Sequence, residues 1–145
     1  MLDDGWFGKR DKDKSGLGDW FVNENKLKGG LSTLCRRIND LGMKFGLWFE
    51  PEMISEDSDL YRAHPDWALT IPGREPNRGR NQLVLDMANP EVRSYLLERM
   101  TDILSHAQID YVKWDMNRSI CDAYSSYLGP ERTGEVCHRY VLGVY

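Results

Sequence analysis

The chain is predicted to be an α/β protein, an incomplete segment of a (β/α)8 barrel that covers about three to four β/α units. Three observations lead there. Strand-like and helical apolar patterns alternate in the order β-α-β-α-β-α. The helix-to-strand links are two or three residues long, around Gly42-Met43 and Gln108-Ile109, whereas the strand-to-helix links are long and polar. The length, 145 residues, suits one domain, yet a closed barrel needs eight strands and typically about 250 residues. The unequal links make one end of the sheet a compact floor and gather the loops at the strand C-termini, where barrels keep their active sites. An open doubly wound sheet is the alternative, but no glycine fingerprint for a dinucleotide is present. Residues 1–145 are therefore expected to form one piece of a larger catalytic domain.

Taken in order, residues 1–8 read as the end of a strand breaking into a turn at Gly5 and Gly8. Residues 8–29 are charged and glycine-punctuated, a long loop. Leu31, Leu34, Cys35, Ile38 and Leu41 then fall at helical spacing, with Gly42 in the usual C-terminal position. Residues 44–50 follow as a buried strand stopped by Pro51. By alternation, Phe45, Leu47 and Phe49 line one face, and Gly46, Trp48 and Glu50 the other. Residues 51–89 are an irregular excursion with a short helix over 59–63, ended before Pro65, and an extended piece over 82–86. Asn89-Pro90 reads as an N-cap with proline in the first turn. Val92, Leu96, Met100, Ile103, Leu104 and Ala107 continue that helix. A last helix spans residues 135–145.

Composition narrows the function classes. Acids number 23 against 19 bases, for a net charge of -4, with the two signs intermixed. That is no footprint for nucleic acid or a membrane surface. No run approaches the ~20 apolar residues of a membrane-spanning helix. Cys35, Cys121 and Cys137 are odd in number and lack metal-ligand spacing, so they read as free thiols in a reducing compartment, with the cytoplasm expected. Five tryptophans and seven tyrosines suit core packing, or the stacking of sugar rings.

The richest stretch is residues 109–118, IDYVKWDMNR. Read as a strand, it puts Tyr111, Lys113 and Asp115 on one face and Val112 and Trp114 on the other. Apolar packing is expected to claim the second face. A cation and an anion on the first then require a polar cleft, because burial without partners is costly. The strand tips together present Asp3, Asp4, Trp48, Glu50, Lys113, Asp115 and Asn117. Carboxylates that accept from vicinal hydroxyls, a lysine that donates and an indole that covers an apolar ring face suit a polyhydroxylated substrate. A carboxylate held against an anomeric carbon can serve as nucleophile while a second supplies the proton.

The segments DDGWFG, LGDW, LGMKFGLWFEPEM, HPDW, GRNQLVLD and YVKWDMNR occur in that order as far as roughly residue 119. They resemble the catalytic barrel of the α-galactosidases of glycoside hydrolase family 36. The resemblance implies a (β/α)8 barrel flanked by an N-terminal β-sandwich and a C-terminal β domain, often in homo-oligomers such as tetramers. It implies retaining hydrolysis of terminal α-galactosyl units of melibiose and raffinose-type oligosaccharides, with no metal and no cofactor. By the same resemblance Asp115 would be the nucleophile, and Lys113 and Asn117 would bind sugar hydroxyls. Asp3 and Asp4 would hold the hydroxyls that distinguish galactose from glucose, Trp48 would pack on the sugar, and Arg80 would reach the site from the long loop.

Plainer readings stand beside these. Asp3 and Asp4 precede Gly5 and suit a turn, Trp48 can fill a barrel interior, and Arg80 can be a solvated loop charge like Arg74 and Arg78. Glu50 and Glu52 flank Pro51 and serve either substrate contact or pairing with a neighbouring strand. His64 is expected to cap or pack, His106 and His138 to lie on helices away from the site, and Cys121 to lack an activating neighbour. The family's acid/base aspartate belongs to a later SDD-type motif, absent here with the Cys-Gly-Gly-rich segment before it. The chain alone is thus expected to be inactive, since retention needs two carboxyls about 5–5.5 Å apart. Rival readings are a galactosyltransferase of the raffinose-synthase type, a metal-dependent barrel enzyme, and a non-enzymic carbohydrate-binding module.

Overall fold

The computed structural model describes residues 1–145. Its centre is strand β1, Gly46–Phe49, buried along its whole length. On one side β1 bridges in parallel to Leu2, whose N–H donates to the Gly46 carbonyl at 2.8 Å and whose carbonyl accepts from Trp48 N–H at 3.0 Å. On the other side it pairs in parallel with strand β4, Tyr111–Trp114, in the register Gly46↔Tyr111 to Phe49↔Trp114. The three extended segments thus lie side by side in chain order, each added to the same edge. No strand order reverses among them, as it does at the switch point of a doubly wound sheet.

Helix α1, Gly30–Asn39, connects the first two segments and buries Leu31 and Cys35. Gly42 N–H donates to Asn39 O (2.8 Å) and Met43 N–H to Ile38 O (3.4 Å), with Gly42 left-handed at φ 76°. This is the paired-bond ending for which glycine is suited. Leu41 was expected on the apolar stripe, but it falls in that ending and is 71% exposed.

The excursion after β1 is ordered rather than irregular. Strand β2, Met53–Ile54, pairs antiparallel with β3, Leu83–Val84. Between them helix α2 occupies Asp59–Ala63, the span read from the sequence, followed by a 3-10 turn at Pro65–Trp67. The α2 N-terminus is closed from a distance: buried Asp19 accepts from the N–H groups of Asp59 and Leu60, both at 2.9 Å. Ser58 Oγ accepts from Tyr61 N–H at 3.0 Å. Anionic oxygens at a helix start satisfy orphan N–H groups and the helix dipole together.

Helix α3, Pro90–His106, starts as expected, with Asn89 Oδ1 accepting from Glu91 N–H at 2.9 Å. Helix α4, Val136–Val144, packs against it after a 3-10 stretch at Pro130–Glu135. One core cluster of 27 buried residues runs through the chain. At its heart are Trp6, Phe7, Trp20, Trp48 and Phe49, with ring centroids such as Phe7–Trp20 at 4.4 Å and Trp6–Phe49 at 5.3 Å. Aromatic pairs of this kind add ~0.5–1.5 kcal/mol each beyond burial.

Strand β4 corrects one expectation. Its second face is only partly claimed by packing: Val112 is half-buried against the core, but Trp114 is 43% exposed. The reason is position. β4 pairs only with β1, so within residues 1–145 no further strand flanks the Trp114 side chain. Trp114 still has an anchor, for its indole N–H donates to Glu52 Oε1 at 2.8 Å, while Tyr140 Oη donates to Glu52 Oε2 at 2.5 Å. Burial and that hydrogen bond to Glu52 push the Tyr140 phenol far above its ordinary 10.0.

Helix α4 approaches so closely that a Cβ on Gly143 would stand 1.9 Å from the Met87 carbonyl oxygen. Glycine to alanine in a helix ordinarily stabilises by about 1 kcal/mol. Gly143→Ala is expected instead to destabilise the chain by roughly 1–3 kcal/mol, as overpacking does, read as a lower urea midpoint. An unchanged or raised midpoint would contradict the packing described.

Candidate active site

Parallel register gathers the polar residues at one end. Asp3 and Asp4 follow the Leu2 bridge, Glu50 follows β1, and Asp115 follows β4, whose last pairing is extended by Asp115 N–H donating to Phe49 O at 2.8 Å. Alternation then puts Trp48 and Glu50 of one strand on the same face as Lys113 and Asp115 of the next.

Asp115 is the hub. Its Oδ2 accepts from the Trp48 indole N–H at 3.0 Å and from Asn117 Nδ2 at 2.9 Å. Its Oδ1 accepts only from the adjacent Met116 N–H, at 3.1 Å. Burial raises its pKa, but the Trp48 and Asn117 donors and the Lys113 charge together outweigh it, so the carboxyl lies below its ordinary 3.8. It is an anion with Oδ2 tied by two side-chain donors and Oδ1 met only by the adjacent backbone N–H.

Behind it lies Glu50, 1% exposed. Glu50 Oε1 accepts from Asn117 N–H (3.1 Å) and Nδ2 (2.9 Å), and Oε2 accepts from Gln82 Nε2 (3.1 Å). Burial pushes the Glu50 carboxyl above its ordinary 4.5, against the pull of the Asn117 donors, and the charge of Asp115 pushes the same way. Alternation had placed Glu50 on the Trp48 face. Gln82 left no signal, because its partner lies 32 positions away in sequence.

The remaining expected residues divide. Lys113 Nζ stands 3.9 Å from Asp3 Oδ2, both side chains well exposed, a pair of little energetic weight that leaves both open to a ligand. Asp4 is gripped by Arg10: Nε donates to Oδ1 at 3.0 Å and Nη2 to Oδ2 at 2.9 Å. Arg10 Nη1 in turn donates to the carbonyls of Lys12, Asp13 and Ser15 at 3.3, 2.6 and 3.0 Å, so one buried guanidinium shapes the loop and aims Asp4.

Two placements differ from expectation. Trp48 is 3% exposed, stacked on Phe7 at 6.1 Å with Trp20 at 6.3 Å. Its ring faces are taken by the core, and what it gives the site is the N–H on Asp115. Arg80 makes no hydrogen bond or ion pair with the cluster. It is exposed at φ 53° beside Asn81 at φ 59°, on a two-residue turn closed by Gln82 N–H to Gly79 O at 3.0 Å. Both central residues at positive φ match the mirror-image hairpin turn. Arg118 is the cation that fastens this loop: it donates to the Gln82 carbonyl, and Nη2 lies 2.7 Å from both Asn77 O and Cys121 Sγ.

The Glu50 shift has a sign that can be tested. A carboxyl raised in the fold stabilises below the unfolded value, 4.5, and loses that contribution as pH rises through the folded value. Glu50→Gln cannot ionise. Its unfolding free energy minus that of the parent is expected to grow with pH from 4.5 upward and then level off, measured by urea denaturation across a pH series. A difference independent of pH would contradict a carboxyl raised by burial.

The chain is similar to the α-galactosidase AgaA of Geobacillus stearothermophilus, at 54% identity over 145 residues, 100% of this chain and 20% of that protein. The crystal structure of the glycoside hydrolase family 36 α-galactosidase AgaB from the same organism matches with a TM-score of 0.96 and 56% identity, covering 99% of this chain and 20% of that one. A variant of AgaA in complex with raffinose matches with a TM-score of 0.96 and 55% identity, again over 99% of this chain and 20% of that one. The chain thus spans about a fifth of the length of these relatives. The melibiase family model matches residues 1–145 throughout, and the chain belongs to that family.

Proposed function

We propose that this chain carries the nucleophile half of an α-galactosidase site, which releases terminal non-reducing α-D-galactosyl residues from melibiose and raffinose-type oligosaccharides with retention. The observation that carries the reading is the Asp115 carboxylate at the strand tip, with Oδ2 tied by the Trp48 and Asn117 side chains and Oδ1 met only by the Met116 N–H. Membership of the melibiase family and a relative solved with raffinose support the substrate class.

In the first step Asp115 Oδ1 attacks the anomeric carbon as the bond to the leaving oxygen breaks. A carboxylic acid from a further strand protonates that oxygen, and a β-galactosyl ester remains on Asp115. Water, deprotonated by the same group, then attacks the anomeric carbon from the opposite face, the ester bond breaks to release the Asp115 carboxylate, and the α configuration is restored. Asp3, Asp4 and Lys113 hold hydroxyls meanwhile. Asn117 has both amide hydrogens committed to Glu50 and Asp115, so it meets the sugar as an acceptor through Oδ1.

The same reading makes the fold three to four units of a (β/α)8 barrel, and the chain alone inactive for want of its proton donor. Three free cysteines support a cytoplasmic setting, and a homo-oligomer is the expected state of the whole enzyme.

Substituting this chain for the matching fifth of AgaA tests the function. The hybrid is expected to hydrolyse nitrophenyl α-galactoside, and Asp115→Ala to lower kcat by on the order of 10⁴ or more. Added azide should revive that variant and yield the β-galactosyl azide. The isolated chain should show no turnover. An active Asp115→Ala hybrid without azide would overturn the assignment.

A further inference from the structure

Asn117 cannot orient itself. Its side-chain nitrogen carries two hydrogens, and its oxygen accepts only. One hydrogen goes to Glu50 Oε1 at 2.9 Å and the other to Asp115 Oδ2 at 2.9 Å. Reversing the amide would turn its oxygen toward two carboxylates. Glu50 sets which way it lies, because Oε1 also accepts the Asn117 backbone N–H at 3.1 Å. Glu50 is itself held by Gln82 Nε2 at 3.1 Å and stands directly after the paired residue Phe49, in step with Asp115 after Trp114.

We propose that Glu50 is a positioning residue for Asp115, acting through the Asn117 amide to tie Oδ2 and leave Oδ1 as the attacking oxygen. This rests on the reading of Asp115 as the nucleophile. The chain of contacts is short and anchored on buried Glu50, so a loose link shifts the attacking oxygen directly. Misplacement by about 1 Å can cost a hundredfold in rate. The carboxylate charge is not what the task needs. A glutamine at position 50 would keep an oxygen for Asn117, and its amide N–H would face Gln82, whose Oε1 is buried without a partner and available once the Gln82 amide turns over.

The test uses the AgaA hybrid that carries this chain, with kcat taken per active site titrated by a slow-turnover galactosyl reagent. Glu50→Ala is expected to lose about a hundredfold in kcat with KM within roughly threefold, and Glu50→Gln to return to within about fivefold of the parent. Should Glu50→Ala fail to fold, Glu50→Asp, one methylene shorter, carries the same criterion. A truncation variant with kcat per site near the parent's would overturn the proposal, as would a glutamine variant no better than the truncation or a loss confined to KM. A purely structural role would reduce the number of titrated sites and leave kcat per site unmoved. If the unsubstituted hybrid is inactive, or remains active without Asp115, the nucleophile reading has failed instead, and with it the relay built on it.

Discussion

The parallel pairing of β1 with β4 is the constraint from which the site follows. Its last bond, Asp115 N–H to Phe49 O at 2.8 Å, sets Glu50 and Asp115 side by side just past the ends of their strands. A slip of one residue would send Lys113 and Asp115 to the opposite face and bring Val112 and Trp114 toward Trp48. The carboxylate, its indole donor and the Asn117 bridge would all be lost in one step. Register is held by apolar contacts on the other face of β1, where Leu47 and Phe49 are wholly buried.

Buried acids extend the same logic outward. Asp19, Glu50, Glu52 and Asp86 are each at most 5% exposed, and a buried carboxylate without donors would be costly. Each is met. Asp19 accepts the first N–H groups of α2, Glu50 accepts Asn117 and Gln82, and Glu52 accepts Trp114 and Tyr140. Asp86 accepts from the Ser125 hydroxyl and from Ala88 N–H at 3.0 Å. Even so, burial keeps the Asp19, Glu50 and Asp86 carboxyls above their ordinary values. These contacts tie the long loops to one another and to the strand tips through buried polar groups.

Local rules made part of this legible. The Asn89-Pro90 start of α3, the Pro65 stop of α2 and the Gly42 ending depend on neighbours within a few residues, whereas the distant Asp19 hold on the α2 start left no local sign. The shared face of Trp48, Glu50, Lys113 and Asp115 follows from a period of two. Two-residue strands such as β2 and β3 carry no period, so their pairing was hidden. The exposure of Trp114 depends on β4 lying at a sheet edge, and the burial of Trp48 on Phe7 and Trp20 crossing over it. Arg80 was placed by its motif, whereas its backbone is set by a tight turn whose φ values no side chain announces. The Glu50–Asn117–Asp115 relay is a long-range meeting of residues 67 positions apart, visible only once register is known.

Asp115 is proposed to form the covalent bond to galactose. This is tested most directly by treating the AgaA hybrid with a galactosyl reagent whose enzyme ester hydrolyses slowly, then mapping the labelled peptide by mass spectrometry. One galactosyl adduct is expected, on the Asp115 carboxylate. An adduct on Glu50 or any other residue, or turnover with no adduct at all, would contradict it.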